Sequence, residues 1–188
     1  MGEPGRNGSE PTAQWVNRVP LVGYSRLRIA TPRVGSPLIC VAVSPHWWGR
    51  WVHWTGASDL PCLEGQGSCP ESLHSQPLAW KAWFAAMLSP GFNVMVLAQI
   101  SYDAARCCPD LVGLSEGGRL RGTFIQLTRT EGKKTGRVRA EILDPRPLKW
   151  ELPNPPDVRE VLESIWWRDE RYRAVQGEQF RKGSDDED

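Results

Sequence analysis

Apolar and polar positions alternate over Tyr24–Ala30 (YSRLRIA), which predicts a half-buried strand broken by Pro32 and by Gly35-Ser36-Pro37. Leu38–Val43 (LICVAV) is a continuous apolar run between turn residues. That pattern suits a central strand, with Cys40 packed inside as a small hydrophobe. Gly49–Trp54 predicts a short strand leading into a loop over 55–77. Leu78–Met87 (LAWKAWFAAM) fits both the strand and the helix period. The turn Ser89–Asn93 (SPGFN) decides for a strand, with 93–100 as its hairpin partner. Ser101 is placed to cap a short helix over 103–108, which Pro109 stops or kinks. Gly117-Gly118 opens the clearest hairpin, Leu120–Thr128 with Arg137–Leu143, joined by a Gly- and Lys-rich connection over 131–136. Prolines then crowd 145–156, marking a semi-stiff linker, and Val158, Val161, Leu162 and Ile165 form the apolar stripe of a helix.

Residues 37–143 thus read strand, long loop, strand, tight turn, strand, short helix, strand, strand. This is the order of an OB-fold, and the expected class is mainly β: an OB-like five-stranded barrel with one short helix and a C-terminal helix. An insertion over 44–77 fills the connection between its first two strands. The chain divides into a Gly- and Pro-rich arm over 1–18, a β domain over 19–144, the linker over 145–156, a helix over 157–176 and an acidic disordered tail over 177–188. No repeat at solenoid or propeller spacing occurs.

Composition narrows the partners only locally. A formal charge of +1 supplies no global pull towards nucleic acid or membrane, so any electrostatic footprint has to be a patch. No apolar run reaches the length of a membrane span, and the first residues lack the basic and apolar regions of a secretory signal. Arg6 stands where a myristoylation signal needs Ser or Thr. Five cysteines, an odd count, argue for reduced thiols and metal ligation, and the expected location is cytoplasmic.

His46–Phe84 concentrates the chemistry. It holds all three histidines, two of the five cysteines and six of the ten tryptophans. His53, Cys62, Cys69 and His74 supply two imidazoles and two thiols, the donor types of a tetrahedral zinc site. Glycines between Cys62 and Cys69 allow tight turning, Pro61 and Pro70 stiffen the flanks, and a loop this polar gains from a metal the order that burial cannot give. A tryptophan-flanked His, a Pro-Cys, a second Cys and then an aromatic strand resemble a pattern in small phage- or mobile-element-type proteins with an OB-like barrel and a His/Cys zinc loop. The resemblance spans about 37–143. It implies a last ligand at Ser72, which does not serve as a normal zinc ligand, so either His74 takes over or the site is degenerate here. His46 is the reserve ligand.

The expected zinc is structural. A zinc deaminase needs H-x-E and P-C-x2-C, and this chain has His53-Trp54-Thr55 and no C-x2-C, which leaves zinc-dependent hydrolysis, with Glu64 or Glu71 as base, a minor alternative. P-loop, dinucleotide and nucleophile-elbow motifs are missing. Cys107-Cys108 lies on the short helix, where adjacent side chains diverge.

Binding single strands requires cations for phosphates and aromatic faces for bases. Arg50 lies between Trp48 and Trp51, and Arg119, Arg121, Arg129, Lys133, Lys134, Arg137 and Arg139 are offset over 119–139 by Glu131 alone. Trp51 and Trp80 are expected to pack inside, leaving Trp47, Trp48 and Trp54 exposed. The function expected is non-enzymatic binding of nucleic acid, single-stranded, beside a structural zinc loop. The rival is a zinc-stabilised protein–protein adaptor docking through Trp-rich surfaces, with a protein partner at the C-terminal helix, where Trp166 and Trp167 cannot share one stripe, or at the acidic tail.

Overall fold

The computed structural model describes residues 27–173 apart from 57, 63–68, 70–72, 74, 131–136, 146, 149 and 171. The N-terminal arm, residues 24–26 of the predicted strand 24–30, His74, Lys133, Lys134 and the acidic tail lie outside the described residues. Eight strands run β1 (Ile29–Ala30), β2 (Leu38–Ala42), β3 (Trp48–Trp54), β4 (Asp59–Pro61), β5 (Leu78–Leu88), β6 (Met95–Ser101), β7 (Phe124–Arg129) and β8 (Val138–Ile142). Helices α1 (Tyr102–Arg106) and α2 (Pro109–Glu116) follow β6, and α3 (Val158–Trp166) follows β8.

All eight strands join one mixed sheet, in the order β1-β6-β5-β2-β7-β8, with β3 also on β5 and β4 on β3. The sheet is open. Only the β1–β6 ladder is parallel among the strand pairs. The predicted five strands are joined by β1, β3 and β4. β5 explains how they fit, because its eleven residues outrun every neighbour. One edge pairs with β6 from Lys81 to Met87; the other is shared, with β3 on Leu78–Trp83 and β2 on Ala86–Leu88. The insertion therefore contributes two strands to the sheet instead of hanging from it as a loop.

β5 resisted a single period because it is buried on both faces, which makes its sequence a near-continuous apolar run. Trp83, Ala85 and Met87 enter one core with Val41, Val43, Leu97 and Phe124; Ala82, Phe84 and Ala86 enter a second with Cys40, Ala42, Ile100, Ile125 and Leu127. The first core is covered by α3, whose Val158, Val161, Leu162 and Trp166 face it as the 3.6-residue stripe requires. Asp157 caps α3 by accepting from the backbone N–H of Arg159 and Glu160. The second core is covered by α1 and α2 through Ala104, Ala105 and Leu111.

Ser101 caps α1 as expected, its Oγ accepting from Ala104 N at 3.3 Å. Pro109 does not end the helical region. It occupies the first turn of α2, where its missing N–H costs nothing and its fixed φ suits the helix. β7 starts at Phe124, later than the alternation suggested, because Arg121-Gly122 form a turn with Gly122 at φ +85°. Among the described residues no helix is long and apolar enough to cross a membrane.

Cys40 lies at the centre of the second core, and burial pushes its thiol up to about 12. A pKa raised by folding contributes stability that is complete below the ordinary thiol range and is lost as pH rises from about 9 towards 12. Urea unfolding at about pH 8 and about pH 10.5 is expected to show this loss, at about 1.4 kcal/mol per pH unit from this one group. Cys40→Ala should flatten it; an equally steep decline in the variant would contradict the assignment.

Candidate functional site

The β3–β4 hairpin and the chain just beyond it bring three potential ligands together. Thr55 and Ser58 close the turn, the Thr55 N–H donating to Ser58 O at 3.0 Å, with Gly56 at φ +84° between them. β4 returns along β3 with Leu60 opposite His53 and Pro61 opposite Val52. The next residue, Cys62, is held from both sides of its own peptide. Its N–H donates to Trp51 O at 2.8 Å, and its carbonyl accepts from Arg50 Nε and Nη2 at 3.3 and 3.1 Å. Cys69 comes back beneath the hairpin, and Leu73 follows it into the first core.

Cys62 Sγ lies 3.3 Å from Cys69 Sγ, and Cys69 Sγ lies 3.4 Å from His53 Nε2. The three ligand atoms lie within 4.8 Å of one another, and all three residues are buried, His53 at 5% and Cys69 at 3% exposure. Around a tetrahedral ion at thiolate and imidazole bond lengths, such atoms sit about 3.5–3.8 Å apart. The Cys62–Cys69 and Cys69–His53 distances need to open by no more than about half an ångström to match it. His53 Nδ1 is 3.4 Å from Gln76 O, so the tautomer protonated at Nδ1 donates to that carbonyl and presents the Nε2 lone pair to the sulfurs. His53, Cys62 and Cys69 can hold a metal ion. His74, Ser72, Glu64 and Glu71 lie outside the described residues, and His46 is exposed and outside the cluster.

The tryptophans sort differently from the sequence expectation. Trp48 packs into the first core, its ring centroid 6.2 Å from Trp83 and 5.9 Å from Trp166. Trp51, expected inside, is 51% exposed, because β3 continues along β5 beyond the end of β2. Its cross-strand partner Trp80 is half-buried and lies over Gly49, where a β-carbon would collide with the indole. Trp80 meets Trp47 edge-on on one side and Tyr102 edge-on on the other, with centroids 6.3 and 6.4 Å apart. Tyr102, the first residue of α1, is 56% exposed. Sequence reasoning missed it; the signal was an aromatic residue directly after the Ser101 cap, where the first helical turn faces outwards. Trp54 is exposed too, near Lys81 Nζ at 5.8 Å.

The cations divide between scaffold and surface. Arg50 is half-buried beside Trp48 and clamps Cys62; burial lowers its pKa, while Tyr172 and then Cys62 and Glu163 act in the opposite sense. Lys81 pairs with Asp59 at 2.6 Å in a largely buried bridge. Arg121 donates to the carbonyls of Val43, Leu152 and Pro153 at 2.7–2.9 Å, pinning the Pro-rich segment to the sheet. Arg129 Nε donates to Pro32 O at 3.0 Å. Arg119, Arg137 and Arg139 remain on the surface. Arg137 and Arg139 share one side of β8, which packs beside α1, and Arg137 Nε lies 3.7 Å from Asp103 Oδ2. An exposed row therefore runs from Trp51 through Trp80 and Tyr102 to the β8 arginines.

No protein-family model, curated protein or solved structure matches the chain.

Cobalt(II) is a convenient probe of the cluster, because tetrahedral thiolate ligation gives it intense visible and charge-transfer bands. The wild-type chain is expected to develop these bands at about one equivalent, Cys62→Ser and Cys69→Ser to lose them, and Cys107→Ser to keep them. Equal spectra in all four proteins would show that the metal binds elsewhere.

Proposed function

We propose that this protein is a non-enzymatic binder of single-stranded nucleic acid, organised around a structural zinc ion. The observation that carries the reading is the exposed row Trp51, Trp80 and Tyr102 leading to Arg137 and Arg139. Exposed aromatic faces beside surface arginines support this reading, because binding single strands requires faces for bases and cations for phosphates. Side-chain stacking contributes roughly 1–3 kcal/mol per base, so Trp51 and Tyr102 together match several phosphate contacts. The small net charge is then no obstacle, because the cations needed are local.

The strand order supports the same reading. Leaving aside β1, β3 and β4, the path β6-β5-β2-β7-β8 sets the five predicted strands side by side, with α1 and α2 between the third and fourth of them in sequence. We read this as an opened OB-like sheet, in which the connection after the first strand and the one between the fourth and fifth border the binding face. The first carries β3 and its tryptophans. The second contains Lys133 and Lys134 in its sequence, outside the described residues.

Zinc is the metal that best fits two thiolates and an imidazole in a buried pocket. His74 is the proposed fourth ligand, closing the shell as structural sites require. When bound, zinc supplies a cross-link; it activates no water in this reading. A second reading, docking of a protein partner, rests on Trp167, which is exposed while its neighbour Trp166 is buried.

Fluorescence titration with a single-stranded oligonucleotide discriminates. Trp51→Ala and Tyr102→Ala are each expected to weaken binding by about 5- to 150-fold, the loss of one stacked base. Arg137→Glu combined with Arg139→Glu should weaken it further and reduce the salt dependence, by about 0.7 in log–log slope for each phosphate no longer neutralised. Unchanged affinity in all three variants would remove the nucleic-acid reading and leave the Trp167 surface.

A further inference from the structure

We infer that metal occupancy regulates the affinity of the aromatic face, because the ligands of the metal centre are built into the strand that carries it. The inference rests on the single-strand reading above and adds a control to it. His53 stands on β3 between the exposed Trp51 and Trp54. Cys62 donates its N–H to the carbonyl of Trp51, and Arg50, the residue before Trp51, grips the carbonyl of Cys62. Arg50 beside Trp51 is thus one hydrogen bond from Cys62, and His53 beside Trp54 is itself a potential ligand.

The rest of the scaffold around them is slight. β4 has three residues and pairs only with β3, which makes it the outermost edge of the sheet at that end. A two-stranded edge this short is marginal alone in water. Beyond it, Trp54 N donates to Pro77 O at 3.0 Å and His53 lies opposite Leu78, so the second ligating segment leads straight back into β5. A metal joining His53, Cys62 and Cys69 closes this circuit and fixes the outer half of β3, whose Trp51 stands beside Trp80 and whose Trp54 lies on the opposite side by Lys81. The other half of the row is independent of it. Tyr102 stands on α1, Arg139 on β8 and Arg137 directly before it, and both elements are held by the second core. Loss of the metal is therefore expected to release the tryptophan half of the surface and spare the tyrosine and arginine half.

The test uses the full chain in zinc-loaded form, in chelated form verified metal-free, and after zinc is restored. Binding of a labelled thymidine homopolymer is measured at one salt concentration, with hydrogen exchange on the same samples. Chelation should weaken binding by about 5- to 150-fold, the worth of one stacked base, and zinc should restore it. Exchange should quicken over β3 and β4 and stay unchanged over β7 and β8. In a chain carrying Trp51→Ala and Trp54→Ala, both exposed and tolerant of substitution, zinc should no longer alter affinity. Equal affinity with and without zinc overturns the control and leaves the single-strand reading standing. No binding by the zinc-loaded chain overturns both. Faster exchange throughout the sheet on chelation, or a zinc effect that persists in the double variant, overturns the local coupling.

Discussion

A three-residue edge strand does not hold itself in place, and what holds β4 determines the rest of this molecule's surface. β4 has one neighbour in the sheet, and the residues on either side of it belong to a turn and to a buried cysteine. Its position is fixed by the largely buried Lys81–Asp59 bridge and by three sets of interactions that meet at Cys62: the Arg50 clamp, the hydrogen bond to Trp51, and the sulfur approach to Cys69 and His53. Buried thiols and an imidazole 3.3–3.4 Å apart are a poor substitute for apolar packing unless an ion joins them. The insertion extends the sheet through β3 and β4, and an ion at these three residues would cross-link its outer end to the chain that returns to β5.

The His53–Cys62–Cys69 cluster is also tied into the first core. Cys62, Cys69 and Leu73 pack in the same cluster as Trp83 and the α3 residues Val161, Leu162 and Trp166, and Ser58 Oγ donates to Asp169 Oδ2 at 2.6 Å beyond the end of α3. The hairpin therefore helps to seat the C-terminal helix, and Trp48 and Trp83 fill the space between them. This sorting gives the tryptophans their two roles. Those on the α3 side of the sheet supply the large buried areas on which a small core depends, and those on the opposite side of β3 and β5 are left to meet a partner.

Much of the fold was legible in the sequence where one period dominated. β2 followed from its apolar run, β5 and β6 from the turn between them, and α3 from its stripe. The ligand types were legible too: His53, Cys62 and Cys69 are brought together as their chemistry suggested, although the spacing matched no standard motif. Other features were hidden for physical reasons. A strand over Gly49–Trp54 was legible, but its joining of the sheet was not, since pairing of β3 with β5 is a fact about β5's surplus length. That pairing sets which side of β3 is buried, and a one-residue change of phase exchanges the faces, which is why Trp48 and Trp51 trade their expected places. Pro109 carries the same residue signal whether it ends one helix or begins the next. Arg121 looks like a surface cation in sequence because its acceptors, the carbonyls of Val43, Leu152 and Pro153, are far away along the chain.

X-ray absorption at the zinc edge of the purified, zinc-loaded chain tests the metal pin most directly, because it reads the donor atoms without reference to stability or binding. The expected first shell has two sulfurs at about 2.3 Å and nitrogen at about 2.0–2.1 Å, reduced to one sulfur in Cys69→Ser. A shell of oxygen and nitrogen alone, or one unchanged by Cys69→Ser, would contradict a metal held by this hairpin.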